Sequence, residues 1–160
     1  LTGADIDMIR SHKRPLKEGI DFGYVGDVDH ANGNMLHTLV EAGIVPVMAP
    51  LTHDGNGNIL NTNADTIASE TAKALAPYYD VTLMFCFEKK GVLSNPDDDD
   101  SVIPSITPEE FKALVADGTV AGGMIPKLEN SFNAIEHGVK QVVITLASAI
   151  DGKHGTILRG

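Results

Sequence analysis

The sequence is poor in cysteine, in positive charge and in long apolar runs. Its 160 residues contain one cysteine, Cys86, which excludes a disulfide framework and favours a reducing, cytoplasmic location. There are 12 Lys and Arg but 22 Asp and Glu, for a formal net charge of −10. This excludes the broad basic surface that nucleic acid requires, but it leaves room for a local cationic site. No apolar run is long enough to span a membrane and no signal peptide is visible, so we expect no membrane partner.

Several common chemical signatures are also absent. The six histidines show no metal-ligand spacing, so we predict no metal site built from them. The glycine and lysine spacing of a P-loop is missing as well. The acidic run 97–100 has no calcium-ligand pattern and is interpreted as a solvated loop. Cys86 lies in an apolar run and is expected to be a small buried side chain.

Apolar periodicity predicts helices that alternate with strands. A helix capped by Asp29 is expected first, and the full set of predicted helices is 30–42, 64–76, 107–118 and 127–138. A turn at 54–57 predicts a β-hairpin, and buried strands are expected at 44–49, 81–87, 142–146 and 155–158. This alternation indicates an α/β sandwich with a mainly parallel sheet.

The segment 122–127, with the sequence GGMIPK, is the strongest candidate for an anion site. Gly122 and Gly123 would let the backbone approach a phosphate closely, and the helix that follows would present free N–H groups. Lys127 would add a full positive charge where a phosphoryl group develops negative charge. Met124 lies between the two glycines and Lys127 in the sequence. The alternative is a glycine turn before an ordinary helix with a surface lysine.

A second polar cluster lies upstream, at Asn61, Asn63 and Asp65. Three polar residues at alternate positions would point to one side of an extended segment. A carboxylate there could hold a lysine or a magnesium-bound nucleotide, as phosphoryl transfer requires. The alternative is the end of a hairpin followed by a helix cap, with Asn63 or Asp65 as the capping residue.

In combination these segments resemble the acetylglutamate kinases of the amino acid kinase family. The similarity extends to about Val143 and is most specific in the stretches NTNAD and GGMIPK; the matching segments are 1–3, 9–10, 23–28, 43–50, 54–57, 61–65, 91–93 and 122–127. The resemblance implies a three-layer αβα sandwich of two lobes. Residues 1–63 would complete the acylglutamate lobe, and residues 64–160 would form the ATP lobe.

The resemblance also implies a reaction and the roles of individual residues. ATP with Mg²⁺ would phosphorylate the γ-carboxylate of an N-acylated glutamate, in arginine biosynthesis. Lys127 would stabilise the transferred phosphoryl group and Asp65 would organise the catalytic lysines. Asn61 and Asn63 would contact the acylglutamate. The nucleotide would contact Glu88, Gly91, Gly122, Gly123 and Met124.

The chain departs from the family pattern in three places. The family's N-terminal strand, with its phosphate-binding lysine, has no counterpart, so we expect this chain to be part of a longer enzyme. Alone, the chain should have little turnover, and the complete enzyme should be a homo-oligomer. Phe87 and Glu88 stand where the family has Thr and Asp. The segment 144–152 lacks the usual Asp-Gly-Arg, and the departures resemble the branch that uses N-succinylglutamate. The alternatives are a carbamate, aspartate or nucleoside monophosphate acceptor, or a non-catalytic nucleotide-sensing module.

Overall fold

The computed structural model describes residues 1–151 and 154–160, and the chain divides after Tyr78 into two units. The first unit is Leu1–Tyr78 and the second is Tyr79–Gly160. The helix Ala64–Leu75 lies within the first unit. The assignment of residues 1–63 to an acylglutamate lobe and of residues 64–160 to an ATP lobe stays a prediction. Gly152, in the divergent C-terminal segment, lies outside the described residues.

The first unit contains one four-stranded sheet, two α-helices and a short 3₁₀ helix at Asp5–Asp7. The strands are ordered β2-β1-β3-β4; β1–β2 and β3–β4 are antiparallel, and β1–β3 is parallel. In chain order, the elements are β1 (Ile9–Lys13), β2 (Gly26–Ala31), α1 (Gly33–Glu41), β3 (Leu51–His53), β4 (Ile59–Asn61) and α2 (Ala64–Leu75). The predicted hairpin at 54–57 is confirmed as the β3–β4 turn. The β1–β2 pair was not predicted, because its exposed side chains are mostly charged.

Helix α1 begins later than predicted. Asp29 was expected to cap it, but Asp29 lies within β2, where its carboxylate is 2.6 Å from Nδ1 of His12. Asn32 is the actual cap, since its side-chain oxygen accepts a hydrogen bond from the Met35 N–H at 3.1 Å. Leu36 then faces a core that also contains Met8, Ile9 and Ile67.

The predicted buried strand at 44–49 is wrong. Val45 is 84% exposed and Val47 is 77% exposed. Within the described residues the segment joins a ladder only through a parallel bridge between Thr2 and Ala49. Pro46 has no N–H to donate, which weakens pairing on one side of the segment. Apolar composition alone therefore did not determine burial here.

The second unit has a four-stranded sheet in the order β5-β7-β8-β6. Pairs β5–β7 and β6–β8 are parallel, and β7–β8 is antiparallel. In chain order, the elements are β5 (Thr82–Phe87), β6 (Ser105–Ile106), α3 (Pro108–Ala116), α4 (Met124–Glu136), β7 (Gln141–Leu146) and β8 (Thr156–Leu158). Strand β7 is the buried centre, and Val142, Val143 and Ile144 are fully buried.

The start of α3 follows from its sequence. Thr107 Oγ1 accepts from the Glu110 N–H at 3.3 Å, and Glu110 Oε2 accepts from the Thr107 N–H at 2.8 Å. This reciprocal capping box, with Pro108 in the first turn, was predicted and is confirmed. The α/β class is confirmed too, but the strand directions are more mixed than a mainly parallel sheet.

Candidate functional site

The second unit contains a cavity of about 930 Å³ beside the C-terminal end of β5. That volume falls in the range of sites for cofactors and drug-sized ligands, about 300–1,000 Å³. Most of its lining is apolar or glycine, with Glu88, Lys89 and Lys127 as the charged members. The lining residues are 86–89, 91–93, 96, 118–121, 123–124, 127 and 147. The cavity therefore unites the β5 end, the loop after it and the start of α4.

The glycine turn before α4 is shaped for close approach by a ligand. Gly122 has φ +57°, a left-handed conformation that favours glycine, and Gly123 follows at φ −66° as the N-cap. A Cβ at either position would meet no described atom within 4 Å. Neither glycine is therefore required by packing within the protein.

The helix start offers fewer free N–H groups than the sequence predicted. The Met124 N–H donates to the Ala121 carbonyl at 3.3 Å, and the Ile125 N–H donates to Gly122 at 3.2 Å. Pro126 has no N–H. An anion here would be stabilised mainly by the helix dipole and by Lys127.

Lys127 lies in the first turn of α4 and lines the cavity. Its Nζ is 4.0 Å from the centre of the Phe87 ring, at the end of β5. This brings together Gly123, Met124 and Lys127 on one side and Glu88 and the β5 end on the other, as lining of one cavity. The predicted site residue Gly122 is not among the lining residues.

Gly91 lines the same cavity, but a packing requirement explains its identity. A Cβ at this position would lie 2.8 Å from Thr156 Oγ1 and 2.9 Å from Val102 Cγ1. Thr156 Oγ1 also accepts a hydrogen bond from the Val92 N–H at 2.8 Å. A role for Gly91 in contacting a nucleotide remains a prediction.

Lys89 lines the cavity but was not predicted as a site residue. The run 97–100 is an exposed loop, as predicted, and two of its carboxylates form surface ion pairs: Lys89 pairs with Asp99 at 2.7 Å, and Lys90 pairs with Asp100 at 2.5 Å. The hydrogen bond from Lys89 lowers the pKa of Asp99, and the same bond raises the pKa of Lys89. Two adjacent lysines, each ten residues before its aspartate partner, were the signal that could have revealed the pairing.

Cys86 is exposed and lines the cavity, so the prediction of a small buried cysteine is wrong. It lies near the C-terminal end of β5, where alternate side chains point to opposite faces of the sheet. Phe85 is buried on one face and Cys86 is exposed on the other. The strand was predicted correctly, but its register relative to the core was not.

The upstream polar cluster lies in the first unit. Asn61 ends β4 and is exposed, and its backbone N–H donates to the Tyr24 carbonyl at 2.7 Å. Asn63 caps α2, because its side-chain oxygen accepts from the Thr66 N–H at 3.1 Å. Asp65 lies in the first turn of α2, so the expected alternation along an extended segment ends at Asn63. The capping alternative holds for Asn63.

No group of three His, Cys, Asp or Glu side chains is placed to hold a metal ion within residues 1–151 and 154–160. In the same residues, no helix is long and apolar enough to cross a membrane.

Comparison with known proteins defines the family. The amino acid kinase family profile matches residues 1–146, and the chain belongs to that family. It is 67% identical over 159 residues to a Phocaeicola vulgatus protein named acetylglutamate kinase, covering 99% of this chain and 62% of the relative. The chain thus spans about three fifths of the length of this curated relative.

Solved structures agree on the fold. A Streptococcus mutans crystal structure is 31% identical and matches with a TM-score of 0.74, over 96% of this chain and 57% of that one. The N-acetylglutamate synthase of Neisseria gonorrhoeae, complexed with coenzyme A and N-acetyl-glutamate, has a TM-score of 0.83 at 20% identity. That match covers 100% of this chain and 37% of the synthase. The amino acid kinase-like fold expected from the sequence is confirmed.

Proposed function

We propose that this chain is part of an ATP-dependent kinase that phosphorylates the γ-carboxylate of an N-acylglutamate, either N-acetyl-L-glutamate or N-succinyl-L-glutamate, in arginine biosynthesis and in the cytoplasm. One observation carries the proposal: Lys127 stands in the wall of the cavity, directly after the glycine turn. The similarity to proteins named acetylglutamate kinase supports the choice of acceptor. The second unit would bind the nucleotide, and the first would contribute to the acylglutamate side.

The reaction needs positioning and charge compensation more than covalent chemistry. A γ-carboxylate oxygen of the acceptor attacks the γ-phosphorus of ATP, and the bond to the β–γ bridging oxygen breaks. The products are ADP and an acyl phosphate, with no enzyme-bound intermediate. Lys127 would stabilise the charge that develops on the transferred group. Asp65 would organise the catalytic lysines, while Asn61 and Asn63 would contact the acceptor.

The nucleotide would enter the cavity with its phosphates toward the glycine turn. Gly122, Gly123 and Met124 would contact the phosphates, and Glu88 and Gly91 would contact the remainder of the nucleotide. Mg²⁺ is commonly held by substrate phosphates with only one or two carboxylates, and when bound it would compensate phosphate charge. Binding of Mg²⁺ in this way needs no cluster of three protein ligands, and the described residues contain none.

The test is the kinetics of the complete protein and of its Lys127→Ala variant. Loss of a group that acts in the transition state should lower kcat by about 10²–10³-fold, with a smaller change in KM for ATP. Lys112→Ala is the matched control, since Lys112 is an exposed lysine on α3 of the same unit. A change in KM alone would make Lys127 a ground-state binder. Turnover only with carbamate, aspartate or a nucleoside monophosphate would contradict the acceptor, and binding without any turnover would indicate a sensing module.

A further inference from the structure

The ring of Phe87 faces the ammonium group of Lys127. Phe87 is the last residue of β5 and Lys127 lies in the first turn of α4, and the Nζ-to-centroid distance is 4.0 Å. A cation within about 6 Å of a ring centre and over its face is attracted by the ring quadrupole. Both side chains line the cavity, so the contact lies at the site itself.

We infer that Phe87 is a positioning residue that aims the Lys127 ammonium at the phosphoryl group. This inference rests on the proposed function, because it specifies how the proposed catalytic lysine is oriented. A lysine side chain has four flexible carbons, and ordering it before the reaction removes an entropic cost from the chemical step. An ammonium has three N–H donors, so contact with a ring on one side is compatible with donation to phosphate oxygens.

The ring itself is held by a rigid part of the fold. Phe87 pairs in parallel register with Leu146 of β7, the buried central strand. It also packs against Phe85 of the same strand, with the ring centres 6.5 Å apart. A group on a strand that is paired with the buried strand β7 is positioned more accurately than one on a loop. Because the sheet fixes the position of the Phe87 ring, the ring can restrict where the flexible Lys127 side chain places its ammonium group.

The first experiment examines the contact without relying on activity. Spectra of this chain with ¹³C-labelled lysine, assigned with Lys127→Arg, should show upfield-shifted ε-CH₂ protons of Lys127 because they lie near the ring face. Phe87→Leu should remove the shift. Phe111→Leu should not, because that ring packs on Phe132 with the centres 5.5 Å apart. An unshifted Lys127 in the wild-type chain, or a shift that survives Phe87→Leu, would overturn the inference.

The second experiment measures the effect of the ring's electrostatics on turnover in the complete protein. Phe87 is replaced by mono-, di- and trifluorophenylalanine, which weaken the quadrupole while nearly keeping the ring's shape. Across the series kcat should fall progressively, by about 2- to 30-fold in total, with KM for ATP changing much less. The same substitutions at Phe111 should leave kcat unchanged. A flat series at Phe87, an equal response at Phe111, or an effect confined to KM would overturn the inference.

Failure of the proposed function would look different. A complete wild-type protein without turnover on any N-acylglutamate would end both proposals, even if the Lys127 shift were present. An active wild-type protein whose kcat ignores fluorination would end only the role of Phe87.

Discussion

Replacing Gly123 by alanine separates a glycine that faces a ligand from one that the fold requires. The backbone of Gly123 is already helical, with φ −66° and ψ −12°, and a Cβ would meet nothing within 4 Å. Alanine can therefore adopt this conformation without a clash. The free energy of unfolding should change by no more than about 0.5 kcal/mol, as for most surface substitutions.

The expected effect on nucleotide binding is larger. If a phosphate group packs on the Gly123 backbone, the added methyl group occupies its space. Overpacking of a close contact typically costs about 1–3 kcal/mol. At 1.4 kcal/mol for each factor of ten, the Kd should rise by about 5- to 150-fold.

Gly91→Ala is the matched comparison. Its Cβ would lie 2.8 Å from Thr156 Oγ1, 2.9 Å from Val102 Cγ1 and 3.0 Å from the Thr156 backbone nitrogen. Because a backbone atom is among these neighbours, the strain cannot be relieved by rotating a side chain alone. This variant should lose about 1–3 kcal/mol of stability.

The assays are calorimetric titration of this chain with Mg²⁺–ADP and equilibrium unfolding in urea. We expect Gly123→Ala to weaken binding at unchanged stability and Gly91→Ala to lower stability. Wild-type affinity in Gly123→Ala would refute a close approach of phosphate to the turn. A loss of stability in Gly123→Ala as large as in Gly91→Ala would show that the turn itself depends on glycine.

Three further predictions concern the first unit and the acceptor. The hydrogen bond from Arg14, with N–O distances down to 2.7 Å, lowers the pKa of Asp27, so its stabilisation is present above the unfolded pKa of about 3.9 and is lost as pH falls through the folded value. Asp27→Asn should lower the free energy of unfolding by up to about 1 kcal/mol at pH 7, and by progressively less as the pH falls through the folded pKa. Urea unfolding at pH 7 and at acidic pH measures this, and an equal loss under the two conditions would contradict the prediction. Asn63→Ala should lower the free energy of unfolding by about 1 kcal/mol, because the cap of α2 is lost. Asp65→Asn should lower the activity of the complete enzyme with a smaller loss of stability. If the two variants lost melting temperature equally, Asp65 would serve only to stabilise the helix. We also expect the complete enzyme to have a higher kcat/KM for N-succinylglutamate than for N-acetylglutamate. A pocket built to pair a second carboxylate would leave its polar groups unpaired with the shorter acyl group. Equal kcat/KM values would refute this preference but not the kinase assignment.

Local rules predicted several elements well. Thr107, Pro108 and Glu110 form the capping box that their spacing indicates, and the turn at 54–57 forms the expected hairpin. Such signals succeed because a cap or a tight turn satisfies backbone groups within a few residues, without help from distant parts of the chain.

The candidate site was predictable in part. The segment 122–127 was recognised from two glycines and a lysine, and the structure places Gly123, Met124 and Lys127 in the wall of one cavity with the β5 end. The contact between Lys127 and Phe87 was not predictable. The two residues are far apart in the chain, and they meet only because α4 begins beside the end of β5.

Burial was predicted correctly for the strand at 142–146, but elsewhere burial and strand pairing were decided by the tertiary structure. The apolar segment 44–49 was expected to be a buried strand, yet Val45 and Val47 are largely exposed, whereas the more polar segments β1 and β2 form a paired ladder. By itself, the sequence determined caps, turns and the helical or extended character of most segments, since those depend on neighbouring residues. Two other features depend on residues that are distant in sequence: which apolar faces are buried, and the contact between Lys127 and Phe87. Only the folded chain brings those residues together.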